Sequence, residues 1–191
     1  MTDYNAAYRE AGYQTFPLHD YSRLVPHDLA GKTVLDLGCG VGHAARYMRH
    51  MGAEVVGVDV STVALELAAK LAPLIEWRTD IPTGRVFDYV VCLGTLEHID
   101  PPWPTLRQLR ASCWRGVFTV PNLLNPYFWV GGTWQEEKAR TLRGWRRLFR
   151  ECGWEIERVG KDPGPEHRPG FRRIISLCPT WITYQFRLDV A

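Results

Sequence analysis

No apolar run in this chain is long enough to cross a bilayer. The longest, around Val90 to Leu93, falls far short of the roughly 20 residues that a spanning helix needs. Residues 1 to 18 are polar and tyrosine-rich without an apolar core segment, so no secretory signal is expected there. The five cysteines (Cys39, Cys92, Cys113, Cys152, Cys178) are odd in number, form no C-x-x-C pair and fall mostly inside predicted strands and helices. They read as reduced core residues of a cytoplasmic protein. Net charge is only +2, and internal repeats, low-complexity tracts and interdomain linkers are lacking. What remains is 191 residues with 46% hydrophobic content, enough for one domain that buries roughly 70% of its unfolded surface.

The chain is organised around Thr33-Val34-Leu35-Asp36-Leu37-Gly38-Cys39-Gly40-Val41-Gly42. Val34, Leu35 and Leu37 suit a strand buried on both faces of a parallel sheet, and a helix pattern from about His43 to His50 follows at once. The glycines therefore form a βα turn at the carboxyl edge of a sheet, where Gly38 and Gly40 let a ligand approach the backbone amides. Tight turns also use glycine for purely structural reasons. Glu54-Val55-Val56-Gly57-Val58-Asp59 adds a second buried strand ending on a carboxylate, nineteen positions after Gly40. In doubly wound folds an acid at that point accepts hydrogen bonds from the two hydroxyls of an adenosine ribose.

Position 43 separates two ligand classes. A dinucleotide fingerprint counted from Gly38 requires glycine there, and the chain has His43; Asp36 is also foreign to an apolar dinucleotide-binding strand. The segment Val34-Leu35-Asp36-Leu37-Gly38-Cys39-Gly40-Val41-Gly42 instead resembles the first motif of the class I S-adenosylmethionine-dependent methyltransferases. Gly94-Thr95-Leu96-Glu97-His98-Ile99, after the predicted fourth strand Phe87 to Leu93, resembles the E-V-L-E-H-I of a large subgroup that acts on small molecules.

The resemblance spans roughly residues 30 to 160. It implies an α/β fold: a Rossmann-like, doubly wound sheet of seven strands, mostly parallel, with one antiparallel edge strand. It implies S-adenosylmethionine as cofactor. Gly38, Cys39 and Gly40 would approach its methionine portion, Asp36 would orient its amino group, and the Leu93 carbonyl would accept from that group. Asp59, with Val60 beside it, would hold the ribose, and Asp80 with Ile81 would read the adenine. Some relatives place a glutamate where Gly94 stands and hold a divalent metal with it and the Glu-His pair. Gly94 removes that oxygen ligand, so no metal is expected. His98, at the mouth of the site, suits a base that collects a proton from a hydroxyl or amine, while Glu97 and His98 also suit helix capping or substrate binding.

The leader holds Tyr4, Tyr8, Tyr13, Phe16 and Tyr21 and predicts a pair of short helices before the sheet. It reads either as a lid over the cofactor or as cover for a sheet edge. Ser61 or Thr62 caps a helix from Val63 to Leu71, Leu74 to Trp77 reads as the third strand, and Leu106, Leu109 and Cys113 mark a later helix. The aromatic segment Leu123 to Glu137 suits a second lid beside the acceptor, and equally ordinary packing under a long loop. From Thr141 to Cys152 an apolar stripe faces an arginine row, Arg143, Arg146, Arg147 and Arg150. The part from Gly131 onward carries 12 basic and 8 acidic residues, which suits an anionic partner such as nucleic acid as well as a solvated face. Strands are predicted at Trp154 to Val159 and Trp181 to Val190, with a short helix at Ile174 to Leu177.

The expectation is thus one methyltransferase domain over 1–191: a helical lid at 1–30 and a core at 31–191 with a lid loop at 122–140. Its activity would be methyl transfer from S-adenosylmethionine to an oxygen or nitrogen of a small acceptor, without membrane association. The alternatives are a nucleic-acid methyltransferase using the basic helix and a non-catalytic S-adenosylmethionine-binding partner protein. No residue pattern names the acceptor or the oligomeric state.

Overall fold

The computed structural model describes residues 3–9, 21–124, 138–162 and 183–190. Strands β1 (Thr33–Leu37), β2 (Glu54–Val58), β3 (Glu76–Arg78), β4 (Phe87–Leu93), β5 (Cys113–Pro121), β6 (Trp154–Asp162) and β7 (Thr183–Val190) form one seven-stranded sheet in the order β3-β2-β1-β4-β5-β7-β6. The pairs from β3 through β5 are all parallel. β7 runs antiparallel to both β5 and β6. The sheet is therefore mostly parallel with its antiparallel pairing confined to one edge region, as expected. In detail the antiparallel strand lies one place in from the edge, because β6 occupies the outermost position.

Alternation of side chains along each strand divides the core into two layers. Leu35, Leu37, Val56, Val58, Val90, Cys92 and Phe118 face one side, under Leu106 and Leu109 of α5 (Pro102–Ser112) and Trp145 and Phe149 of α6 (Leu142–Glu151). Val34, Val55, Tyr89, Val91 and Val117 face the other, under Ala44, Ala45 and Met48 of α3 (His43–His50). The first layer is rich in aromatic rings: Phe149 and Phe186 lie 4.8 Å apart, Phe118 and Phe149 5.2 Å. Both buried indoles in it are satisfied, Trp145 Nε1 donating to Pro121 O at 2.9 Å and Trp154 Nε1 to Leu106 O at 3.1 Å. Such donors are costly to bury without an acceptor.

Two predicted boundaries shift. The third strand starts at Glu76 because Leu74 and Ile75 close a turn, the Ile75 amide donating to Ala72 O at 3.2 Å. Cys113 opens β5 instead of ending the preceding helix. Ser61 caps α4 (Thr62–Leu71) by accepting from the Ala64 amide at 3.1 Å, one of the two expected caps. The leader contributes α1 (Tyr4–Arg9) and α2 (Tyr21–Leu24), and Gln185 Nε2 of β7 donates to the Arg23 and Leu24 carbonyls at 3.0 Å each. Most of the predicted lid segment, the predicted helix at Ile174 to Leu177, and Cys178 lie outside the described residues. Among the described residues no helix is long and apolar enough to cross a membrane.

Candidate functional site

The strand order reverses between β1 and β4, so their following loops leave the sheet in opposite directions and open a crevice at their carboxyl ends. One wall is the glycine turn. Gly38, Gly40 and Gly42 have φ of +74°, +53° and +80°, backbone conformations that disfavour a Cβ. The Gly38 and Cys39 amides donate to Val58 O at 2.7 and 3.0 Å, folding the turn over the end of β2. A Cβ on Gly38 would overlap the Thr95 side chain, and one on Gly40 the Tyr8 hydroxyl. Both neighbours present hydroxyls, which makes the wall polar. Beneath it, the Trp77 indole occupies the space that a Cβ on Gly42 or Gly57 would fill.

Asp59 clamps this turn to the second strand. Its Oδ2 accepts from the Gly40 amide and its Oδ1 from the Ser61 amide, each at 2.9 Å. Burial raises its pKa and the two amides oppose that rise. Asp36 lies on the Val34 face of β1, toward α3, and is only 2% exposed. Burial first, and then the Asp59 charge, push its carboxyl up to about 7, against the Ala45 amide of α3. Its Oδ2 has no hydrogen-bond partner. The surroundings register the negative charge. Burial and Asp36 together raise Tyr21 to about 12, and Cys39 and Cys92 are raised by burial and by the neighbouring acids, Asp36 among them. Two buried carboxyls so close together hold a second negative charge at a cost that a cation would relieve.

The other wall follows β4. The Gly94 amide donates to Thr119 Oγ1 at 2.9 Å, and Thr95 Oγ1 donates to Leu93 O at 3.4 Å. A short 3-10 turn, Leu96–His98, buries Glu97 and leaves His98 exposed. The Lys138 amide donates to Glu97 O at 2.8 Å and the Leu123 amide to Arg140 O at 3.1 Å, so residues 138–140 strap this turn to the end of β5.

Helix α1 lies across both walls. Asn5 Oδ1 accepts from Ser61 Oγ at 2.9 Å and from the Val63 amide at 3.2 Å, at the start of α4. Tyr8 meets Gly40, and the Tyr4 ring stands edge-on to His98 at 6.1 Å and 77°. This places α1 against the glycine turn, the start of α4 and the 3-10 turn.

Asp36, Gly38, Cys39, Gly40, Asp59 and Leu93 thus converge on one crevice, with His98 on its far side. Val60 stands on the rim, 72% exposed. Asp80 lies beyond β3, ion-paired with Arg78 at 3.1 Å, and Ile81 packs against the core. Among the described residues no group of three or more His, Cys, Asp or Glu is arranged to hold a metal ion. The sequence assigned no role to Asn5 or Thr95. Their contacts arise from tertiary docking, and only the tyrosines of the leader signalled that something covers the site.

The profile of a methyltransferase domain family matches residues 8–159. A mitochondrial ubiquinone biosynthesis O-methyltransferase from Schizosaccharomyces pombe is 38% identical over 84 residues, covering 38% of this chain and 31% of that protein. The chain spans between about a third and a half of the length of the curated relatives it matches. Among solved structures, an S-adenosylmethionine-dependent methyltransferase from Mesorhizobium loti superposes with a TM-score of 0.67 at 18% identity, over 88% of this chain and 95% of that one. The magnesium protoporphyrin IX methyltransferase from Synechocystis with bound S-adenosylmethionine gives 0.64 at 19% identity, over 86% of this chain and 72% of that one. The chain belongs to the methyltransferase domain family and has the class I fold of the S-adenosylmethionine-dependent methyltransferases.

Proposed function

We propose that the chain transfers the methyl group of S-adenosylmethionine to a small acceptor, at oxygen in the first instance and nitrogen in the second. The observation that carries this reading is the crevice between β1 and β4, where a glycine turn clamped by Asp59 faces a buried Asp36 oxygen that lacks a donor. Oxygen is preferred because the S. pombe relative is an O-methyltransferase by name.

The residues fit the cofactor. The turn of Gly38, Cys39 and Gly40, lined by the Thr95 and Tyr8 side chains, would hold its methionine portion, Asp36 and the Leu93 carbonyl would take its amino group, and Asp59 and Val60 would border its ribose. We assign Asp80 and Ile81, just beyond β3, to the adenine. Bound there, S-adenosylmethionine supplies a sulfonium-activated methyl group. The chain contributes the alignment of acceptor and donor, which converts a bimolecular encounter into a unimolecular one. Asp59, joined by Asp36 once it is ionised, sets the negative potential that balances a cationic donor. His98, held beside Tyr4, receives the acceptor's proton.

We assign residues 1–191 to a single domain with lids at 1–30 and 122–140. Support comes from α1, which contacts both walls of the crevice. Free, buried Cys39, Cys92, Cys113 and Cys152 support a reducing compartment, and we place the protein in the cytoplasm. A second reading, RNA methylation, draws on the exposed row Arg143, Arg146, Arg147 and Arg150 of α6, of which Arg147 pairs with Glu151 at 3.6 Å. Transfer of a labelled methyl group to quinol or catechol acceptors, with structured RNA as the parallel substrate, separates the two.

A further inference from the structure

Asp36 and Asp59 share one basin but not the same treatment. Asp59 has an amide donor on each oxygen, from Gly40 and Ser61, and those two hydrogen bonds stabilise its ionised form. Asp36 is opposed by one backbone amide, Ala45, and its second oxygen is buried with no donor at all. A naked carboxylate oxygen in such a place demands either a proton or a cation. The groups around it supply neither. Facing Asp36 are the Asp59 carboxylate at the end of β2, the Cys39 thiol in the turn and the Tyr21 phenol on α2, while the Cys92 thiol, on the opposite face of the sheet, and Glu97, which acts on it, lie within electrostatic reach. The charge that acts on Asp36 is that of Asp59, an anion.

We propose that Asp36 carries a proton in the ligand-free protein and surrenders it when a cationic cofactor enters, so that cofactor binding and proton release are one coupled event. This deepens the reading of the crevice as an S-adenosylmethionine site and rests on it. The proton leaves the Asp36 carboxyl for solvent, the carboxylate that remains balances the ligand's positive charge, and no other bond changes. Of the two acids, Asp36 takes the proton because Asp59 is already satisfied as an anion. The consequence is an affinity that rises with pH through the neutral range, by up to about tenfold per unit on the acid side, and then levels off.

The test is calorimetry of S-adenosylmethionine and S-adenosylhomocysteine binding to the whole protein, in pairs of buffers that differ in ionisation enthalpy, at pH 6 and pH 7. The expected release is close to one proton per ligand at about pH 6 and about half a proton at about pH 7. The ligand's own amino group titrates slightly higher, so the difference between the wild type and Asp36→Asn isolates the Asp36 contribution. Release with both ligands assigns the exchange to the ammonium group they share; release with S-adenosylmethionine alone assigns it to the sulfonium. Either outcome supports the exchange. Binding with no Asp36-dependent release overturns the exchange and leaves the cofactor reading standing. Absence of binding by either ligand overturns the cofactor reading, and the exchange falls with it. An infrared difference spectrum of the wild type, free against bound, gives a variant-independent readout: the protonated carboxyl band must disappear on binding.

Discussion

Asp59 accepts the Gly40 amide at 2.9 Å across nineteen positions of sequence, and this bond, with those of the Gly38 and Cys39 amides to Val58 O, joins the glycine turn after β1 to the end of β2. The carboxylate proposed to border the ribose therefore also shapes the glycine turn. Its loss would remove the scaffold contact and, on the proposed function, a ligand contact as well.

Asp59→Ala is expected to weaken S-adenosylmethionine binding by about 10- to 100-fold, the scale of a charged hydrogen bond. It should also lower stability by roughly 1 to 3 kcal/mol, because the buried Gly40 and Ser61 amides lose their acceptor. Titration calorimetry and urea unfolding read the two effects separately. A variant of unchanged affinity would remove Asp59 from the cofactor site.

Asp36 sets a pH dependence of stability whose sign follows from its environment. Its folded value, about 7, lies above the ordinary 3.8, so the folded state holds the proton more tightly than the unfolded state. Stability from this group is therefore lost as pH rises from about 4 to about 7 and stays low above that. The penalty at neutral pH is on the order of 4 kcal/mol. Asp36→Asn is expected to unfold at higher denaturant than the wild type at pH 8, with the gap narrowing toward pH 5. A gap independent of pH would contradict the assignment.

Gly40→Ala meets two obstacles, a φ of +53° and the Tyr8 hydroxyl. The left-handed conformation alone costs about 1 to 2 kcal/mol, and the contact with Tyr8 adds to it. In a Tyr8→Ala background the contact disappears and only the backbone strain remains. A double-mutant cycle on thermal unfolding is expected to show that coupling. Strict additivity would mean that α1 does not rest on the turn.

Asn5→Ala removes the acceptor that fixes α1 to the start of α4. Faster dissociation of S-adenosylmethionine, by about an order of magnitude for a bond of this class, is the expected result in stopped-flow measurements. Overall stability should change little. An unaltered dissociation rate would return the leader to the role of edge cover.

His98→Ala separates proton transfer from binding. As a base, His98 contributes roughly 10²- to 10⁴-fold to turnover, and its loss should lower kcat while cofactor affinity is kept. A rise in KM with kcat unchanged would make it a binding residue instead.

The sheet and the crevice were legible because they rest on local signals. Val34, Leu35 and Leu37 announce a buried strand, and the glycines after them announce its turn; Val55 to Asp59 repeat the pattern. The docking of α1 was not legible. Asn5 reaches Ser61 across fifty-six positions, and nothing in a six-residue polar helix encodes where it docks. Thr95 gave no warning because its meaning depends on Gly38 lying opposite. The third strand was placed two residues early because Leu74 and Ile75 look like strand residues, whereas Leu74 is 77% exposed in the turn that Ile75 anchors. The position of β7 between β5 and β6 is a long-range choice that alternation along a single strand cannot express.

The crevice between β1 and β4 is the proposed S-adenosylmethionine site. Titration calorimetry of the purified protein with S-adenosylmethionine, S-adenosylhomocysteine, NAD and NADP tests it most directly. Micromolar binding of the first two and none of the nicotinamide cofactors is predicted; binding of NAD or NADP, or of none of the four, would contradict it.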